Sequence, residues 1–216
     1  MRELINILMA GLVFCGGAAM AASNTTDTRS FGAFDRIEVS RGIELHVACG
    51  PSAKAEISGR PDEVSDTTTE VKGHALRITR TSFAGNHQGV TVRLTAPQPL
   101  VAISANTGVS AEIEACAVSP DHLDISANTG VTIDLAGSTG RSSIEANTGA
   151  RIQPLDGQRF DAKEVKVSAN TGAEIRLCAV DRIDGNASLG ASITADSKSG
   201  TVHTGMGASF SVESCR

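Results

Sequence analysis

Apolar and polar residues alternate along the first part of the chain, from Phe31 to about Pro97. One apolar set shares a single side of the predicted strands: Ile37, Val39, Ile43, Leu45, Val47 and Cys49. Polar residues occupy the positions between them, and this period of two is typical of a β-strand with one buried side. Further strands are predicted at 53–58, 74–79 and 90–95, because Gly and Pro residues separate these segments as turn signals.

The second part of the chain repeats one four-residue string, Ala-Asn-Thr-Gly, four times between alternating apolar segments. Two looser copies follow, and the six turn glycines are Gly108, Gly130, Gly149, Gly172, Gly190 and Gly207. Successive glycines are 22, 19, 23, 18 and 17 residues apart. A period of roughly 20 residues, with strand, tight turn and strand in each repeat, predicts a β-solenoid.

The turn residues predict a structural ladder. Asn and Gly accept a positive φ at low cost, and each circuit of a solenoid needs such a residue at the same bend. When repeats stack at the ~4.8 Å strand spacing, their asparagines form a column whose amides bond along the stacking direction. The asparagines of this predicted ladder are Asn106, Asn128, Asn147 and Asn170.

The composition supports an all-β fold. The 216 residues include no Trp, no Tyr, six Phe and 22 Gly. A narrow solenoid core can be filled by Ala, Val, Ile and Leu, whereas a globular core normally uses large aromatic residues. We therefore expect almost no helix beyond the leader, and predict a parallel β-helix (β-solenoid) of about six coils over 100–216. An irregular β-rich section at 22–99 is expected to cap its first end.

The N-terminal residues have the pattern of an export signal. Arg2 supplies a positive charge, residues 4–14 are largely apolar, and an Ala-Met-Ala cleavage site follows, so residues 1–21 are predicted to be a signal peptide. The apolar run is too short to span a bilayer. We expect an exported protein, located in the periplasm, on the outer surface or in the medium. A lipid anchor at Cys15 is an alternative that the bulky Phe14 disfavours.

The net charge limits the kinds of partner that the chain can bind, and the cysteine content indicates its disulfides. The net charge of −5 argues against nucleic acid and anionic lipid as partners. Four cysteines follow the leader, and an even number in an exported chain predicts disulfides, with four buried thiols as the alternative. Cys116 and Cys178 would lie three coils apart, about 14 Å at the strand spacing. This separation exceeds the ~7 Å limit between Cα atoms, and Cys116 and Cys215 would lie further apart still. We therefore predict the pairs Cys49–Cys116 and Cys178–Cys215.

Positions two and four after each turn glycine are predicted to point outward. They are Ser110, Glu112, Thr132, Asp134, Arg151, Gln153, Glu174, Arg176, Ser192, Thr194, Ser209 and Ser211. Only Glu112 and Asp134 place two carboxylates in adjacent coils. We interpret the row as a solvated face of alternating charge. The histidines are scattered, and no CxxC motif or His pair occurs, so no catalytic, cofactor-binding or metal-binding residue is predicted.

Three kinds of segment resemble a known bacterial family. Residues 31–47 read FGAFDRIEVSRGIELHV, residues 90–97 read VTVRLTAP, and the turns at 189–192 and 206–209 read LGAS and MGAS. Together they resemble the head-GIN domain family of autotransporter adhesin-like proteins over residues 31–212. The resemblance implies one continuous β-helical domain and a role in adhesion. It brings with it no catalytic residue and no ligand.

We therefore predict an exported, non-enzymatic surface or envelope interaction module without a cofactor. Its partner would be an unidentified cell-surface, glycan or matrix component, bound through multivalent display. The alternative is a carbohydrate-active β-helix enzyme, a polysaccharide lyase or hydrolase, which would need clustered acid, base and aromatic groups. Ice binding by the turn threonines is a third class, but a single file of Thr residues does not make a plane.

Overall fold

The computed structural model describes residues 24–81 and 89–214, which form one sheet of 17 strands. The first strands are β1 Thr25–Ser30, β2 Arg36–Ser40, β3 Ile43–Cys49, β4 Lys54–Gly59, β5 Thr67–Lys72, β6 Ala75–Arg80 and β7 Val90–Ala96. The others are β8 Ala102–Asn106, β9 Ser110–Ile113, β10 His122–Asn128, β11 Thr132–Leu135, β12 Gly137–Asn147, β13 Arg151–Pro154, β14 Phe160–Ala169, β15 Glu174–Ala187, β16 Ser192–Thr204 and β17 Ser209–Val212. A six-residue helix, α1 (Pro61–Asp66), and one 3₁₀ turn complete the described chain. The all-β prediction is confirmed, while the predicted signal peptide lies outside the described residues.

Strands from successive repeats pair in parallel and keep the repeat in register. Strand β10 lies between β8 and β12, so that Asn106, Asn128 and Asn147 stand side by side. Strand β11 lies in the same way between β9 and β13. The ladder continues through β14 and β15 to β16 and β17. Equivalent residues of different repeats therefore form columns, as the sequence period predicts.

The first strands join these ladders, but the sheet as a whole is mixed. Strand β2 pairs in parallel with β6 and β8, and β3 pairs in parallel with β7 and β9. Antiparallel pairs also occur, between β1 and β4, β4 and β7, and β5 and β6. These antiparallel pairs all lie within the section at 22–99 that was expected to be irregular and β-rich. Because alternation alone does not encode strand direction, a short connection such as Gly73-His74 can return the chain antiparallel to itself.

One apolar core runs along the inner side of the ladders. Its columns are made of like residues, for example Ile103, Ile125, Ile144 and Val167. Phe34 and Phe160 are the largest fully buried side chains of the described chain. At the last strand, β17, the stack ends, and Val212 is 59% exposed. Each buried Ile or Leu contributes roughly 1.5–3 kcal/mol relative to an exposed one, so the aliphatic columns can hold the fold without large aromatics.

The predicted turns form, but Thr rather than Asn takes the positive φ. Asn128 is the last residue of β10, while Thr129 has a φ of 55° and Gly130 a φ of 64°. The Thr and the Gly both have a positive φ at every Ala-Asn-Thr-Gly turn. This conformation directs both amides along the stack: Thr129 donates to the Asn147 carbonyl at 3.2 Å and Gly130 to the Thr148 carbonyl at 3.0 Å. The backbone bonds between repeats offset the strain that a β-branched residue meets at positive φ.

Candidate functional site

The asparagine side chains of successive repeats are hydrogen-bonded in a row. Asn147 Nδ2 donates to Asn128 Oδ1 at 2.9 Å, and Asn170 Nδ2 donates to Asn147 Oδ1 at 3.0 Å. Ser188 Oγ extends the row by donating to Asn170 Oδ1 at 2.5 Å. Asn106 is exposed at the start of the column, and its side-chain oxygen accepts a bond from the next residue in the chain. The side chains of Asn128, Asn147 and Asn170 thus link successive repeats, while Asn106 stands outside the bonded row.

The cysteines tie the first strands to the repeats. Cys49 at the end of β3 is bonded to Cys116 in the 3₁₀ turn after β9, with 6.0 Å between the Cα atoms. This pairing confirms the prediction from coil geometry. Cys178 is buried in β15, but Cys215 lies outside the described residues, so the pair Cys178–Cys215 stays a prediction.

One outward surface carries the residues that the sequence singled out. We call it the Asp134 face and define it by the outward side chains of β9, β11, β13 and the first halves of β15 and β16. Thr132 stands between Ser110 and Arg151, and Asp134 between Glu112 and Gln153. The predicted outward positions therefore stack as counted from the turn glycines.

A histidine from the first strands joins the carboxylates of this face. His46 pairs in register with Glu112, and its Nδ1 lies 2.8 Å from Glu112 Oε2. Its Nε2 lies 3.1 Å from Glu44 Oε1. The sequence placed His46 on a polar side of β3, and the predicted Cys49–Cys116 bond was its one indication that β3 lies near β9. The non-consecutive strand order brings an imidazole, Glu112 and Asp134 into one short row.

Asp134 is the perturbed acid of this row. Burial raises the pKa of Asp134 above its ordinary value of 3.8, and the negative charge of Glu112 adds to the rise. A hydrogen bond from Gln153 and the charge of Arg151 act in the opposite direction on the same pKa. The carboxyl therefore keeps its proton to a higher pH than an exposed Asp does. A proton-holding acid beside a second carboxylate can take part in acid–base chemistry.

The surroundings of Asp134 are polar and largely self-neutralising. A groove of about 820 Å³ lies beside it, lined among others by Arg159, Arg176 and Thr194. Arg151 Nε is 3.0 Å from Glu174 Oε2, and Arg176 lies 3.5 Å from the same carboxylate. Because these pairs are exposed, each contributes little to stability. They leave a face with alternating charge and no aromatic side chain among the named groups.

A second outward surface was missed by the sequence reasoning. We call it the Arg141 face and define it by the outward side chains of β10, β12, β14 and the second half of β15. A groove of about 550 Å³ crosses it. Its ionisable lining residues are His122, Asp124, Arg141, Glu164, Lys166, Arg182 and Asp184. They occur four and six residues before each turn Asn or its equivalent, so counting backward from the turns, as well as forward, would have found them.

Within residues 24–81 and 89–214, no cluster of three His, Cys, Asp or Glu side chains could hold a metal ion. None of the helices there is long and apolar enough to cross a bilayer.

Comparison with known proteins identifies the family. A sequence profile described as "Putative auto-transporter adhesin, head GIN domain" matches residues 33–197. The chain belongs to this head-GIN family. The resemblance noted from the segments at 31–47 and 90–97 is confirmed. No curated protein matches the chain.

Solved structures share the head-GIN fold at low sequence identity. A crystal structure of a "putative adhesin" from Bacteroides fragilis is 13% identical and has a TM-score of 0.67, covering 90% of this chain and 98% of that one. Another from Parabacteroides distasonis is 14% identical with a TM-score of 0.51, covering 89% of this chain and 98% of that one. At these identities the likeness concerns the fold.

Proposed function

We propose that this head-GIN protein is an exported, non-enzymatic module for interactions at a bacterial surface or envelope. The parallel ladders would act as about six coils of a β-solenoid, closed at one end by the antiparallel strands of the first section. Residues 1–21 would direct export and be removed. The partner would be a cell-surface, glycan or matrix component.

The observation that carries this proposal is the pair of polar faces held in register by the ladders. Ion pairs such as Arg151 with Glu174 and Arg182 with Asp184 balance the charge of these faces. The named groups include no Trp or Tyr, residues that usually concentrate binding energy in one spot. Each copy is therefore expected to bind weakly through many polar contacts. Several linked copies gain strength without any new contact, which suits a surface-displayed protein.

Surface plasmon resonance against intact cells or matrix tests the proposal. The mature protein is injected as a monomer and, separately, displayed on beads at high density. We expect weak binding by the monomer and tight, slowly dissociating binding by the beads. Beads coated with the unfolded, reduced protein are the control. Absence of binding in both formats, or equally tight binding by the monomer, would contradict the proposal.

A second candidate function is supported by the acidic row at Asp134. Glu112 and Asp134 are register partners, and the ~4.8 Å strand spacing is close to the ~5 Å between the carboxyls of retaining glycosidases. In such an enzyme Asp134, whose pKa is raised, would protonate the glycosidic oxygen. Glu112, bonded to His46, would attack the anomeric carbon, and water would then release the sugar. Reducing-end release from a polysaccharide that is lost in Asp134→Asn would favour this function over adhesion.

A further inference from the structure

We propose that the Arg141 face binds a carboxylated polysaccharide, with the sugar chain lying along the stacking direction of the repeats. This inference rests on the proposed surface function and names the class of ligand. It concerns a groove that none of the sequence motifs marked, on the opposite side of the turns from Asp134.

The groove is linear because its side chains come from equivalent positions of successive repeats. In one row His122 is the register partner of Arg141, which is followed by Glu164 and then Arg182. A parallel row holds Asp124, Ser143, Lys166 and Asp184. Adjacent members of a row are one strand spacing apart, ~4.8 Å. An extended pyranose chain advances by a similar distance per sugar, so consecutive sugars can meet consecutive repeats.

Two cations of this groove lack a carboxylate of their own. Arg182 Nε lies 2.6 Å from Asp184 Oδ2, and this hydrogen bond is the largest cause that lowers the pKa of Asp184. In contrast, the side chains of Arg141 and Lys166 form no ion pair or hydrogen bond with any described residue, although the Lys166 charge also contributes to lowering the pKa of Asp184. Arg141 and Lys166 are diagonal neighbours in adjacent strands, about 8 Å apart. They are therefore placed to receive anionic groups from a ligand.

The flanking acids decide which anionic ligand suits the groove. Asp124 and Glu164 are exposed acceptors beside the two cations, and they can accept hydrogen bonds from hydroxyl groups. They would repel a phosphate-dense chain such as a nucleic acid. The groove also offers no exposed apolar anchor for an acidic peptide. A polymer with one carboxylate per sugar and many hydroxyls matches both sets of groups.

Isothermal titration calorimetry with short polyuronate oligosaccharides tests this assignment. The methyl ester of the same oligosaccharide is the matched ligand, since it keeps the hydroxyls and loses the charge. We expect binding of the free acid and at least about tenfold weaker binding of the ester, the size of a lost charge-assisted hydrogen bond. Equal affinity for acid and ester would overturn the proposal.

Variants locate the site. Arg141→Ala and Lys166→Ala should each weaken polyuronate binding about tenfold, whereas Arg176→Ala on the Asp134 face should leave it unchanged. Thermal midpoints of all three variants check that the fold persists. Loss of binding only in Arg176→Ala, or tighter binding of polyglutamate than of polyuronate, would contradict the assignment. If polyuronate does not bind while bead-displayed protein still adheres to cells, this inference fails and the proposed surface function stands.

Discussion

The turns and the outward faces of the repeats follow opposite rules. In the turn column the same residue recurs, with Asn106, Asn128 and Asn147 side by side. In the outward column beside it, His122, Arg141 and Glu164 are all different. A side chain that bonds to its own copy in the next repeat must recur, whereas one that faces solvent is free to vary. The comparison separates the residues that hold the fold from those available for binding.

The largest effect on stability is expected at the disulfide that links the first strands to the repeats. Replacing both Cys49 and Cys116 by Ala should lower the free energy of unfolding by ~2–4 kcal/mol, because the bond closes a loop with a sequence separation of 67 residues. Denaturant unfolding checks this. In reducing agent, which would also break a Cys178–Cys215 bond, the parent and the double variant should unfold alike. An unchanged midpoint of the double variant without reducing agent would show that the Cys49–Cys116 bond does not restrain the chain.

The recurrent turn residue should matter more inside the stack than at its start. Asn147 bonds to neighbours on both sides, so Asn147→Ala should cost roughly 0.5–1.5 kcal/mol for each lost bond. Asn106→Ala, at the exposed end, is the matched control and should cost less. Urea midpoints compare the two variants. Equal midpoints for both variants and the parent would show that the asparagine ladder does not contribute to stability.

On the Asp134 face we expect a small change in stability that depends on pH. Because the pKa of Asp134 is raised in the folded state, the folded protein binds this proton more tightly than the unfolded chain. Ionisation therefore costs stability as the pH rises from below 3.8 through the raised pKa. Asp134→Asn should raise the thermal midpoint at neutral pH and lose that advantage in acid. Asp124→Asn on the Arg141 face is the control for the loss of a negative charge. If the thermal midpoint of Asp134→Asn instead rises relative to the parent as the pH falls, the pKa of Asp134 is not raised in the folded state.

The sequence predicted the repeated parts of this fold well, since each copy gives the same information again. The strands at β3 and β7 and the pair Cys49–Cys116 followed from alternation and coil spacing. The parallel register of β3 against β9 did not follow, because it depends on the return path of the chain through β6 and β7. For that reason His46 beside Glu112 could not be foreseen.

The outward residues of the Asp134 face could be identified from the sequence, whereas those of the Arg141 face were missed. The Asp134 face follows the turn glycine closely, so its outward positions could be counted from that residue. The Arg141 face precedes the turn, where strand β12 is longer than β10 and the repeat is less even. The positive φ of Thr129 was also unexpected, because it arises from backbone bonds between repeats rather than from residue preference.

The central claim is that the turn residues hold the fold while the outward residues bind the partner. Its most direct test measures stability and binding on the same two variants. Bead-displayed Arg141→Glu and Asn147→Ala are compared with the parent by thermal unfolding and by surface plasmon resonance on intact cells or matrix. We expect Arg141→Glu, which reverses an exposed charge on the Arg141 face, to change binding with a nearly unchanged midpoint. Asn147→Ala should lower the midpoint and leave binding unchanged below it. If binding and midpoint change together in both variants, or if Arg141→Glu and Lys166→Glu both leave binding intact, the Arg141 face does not carry the function.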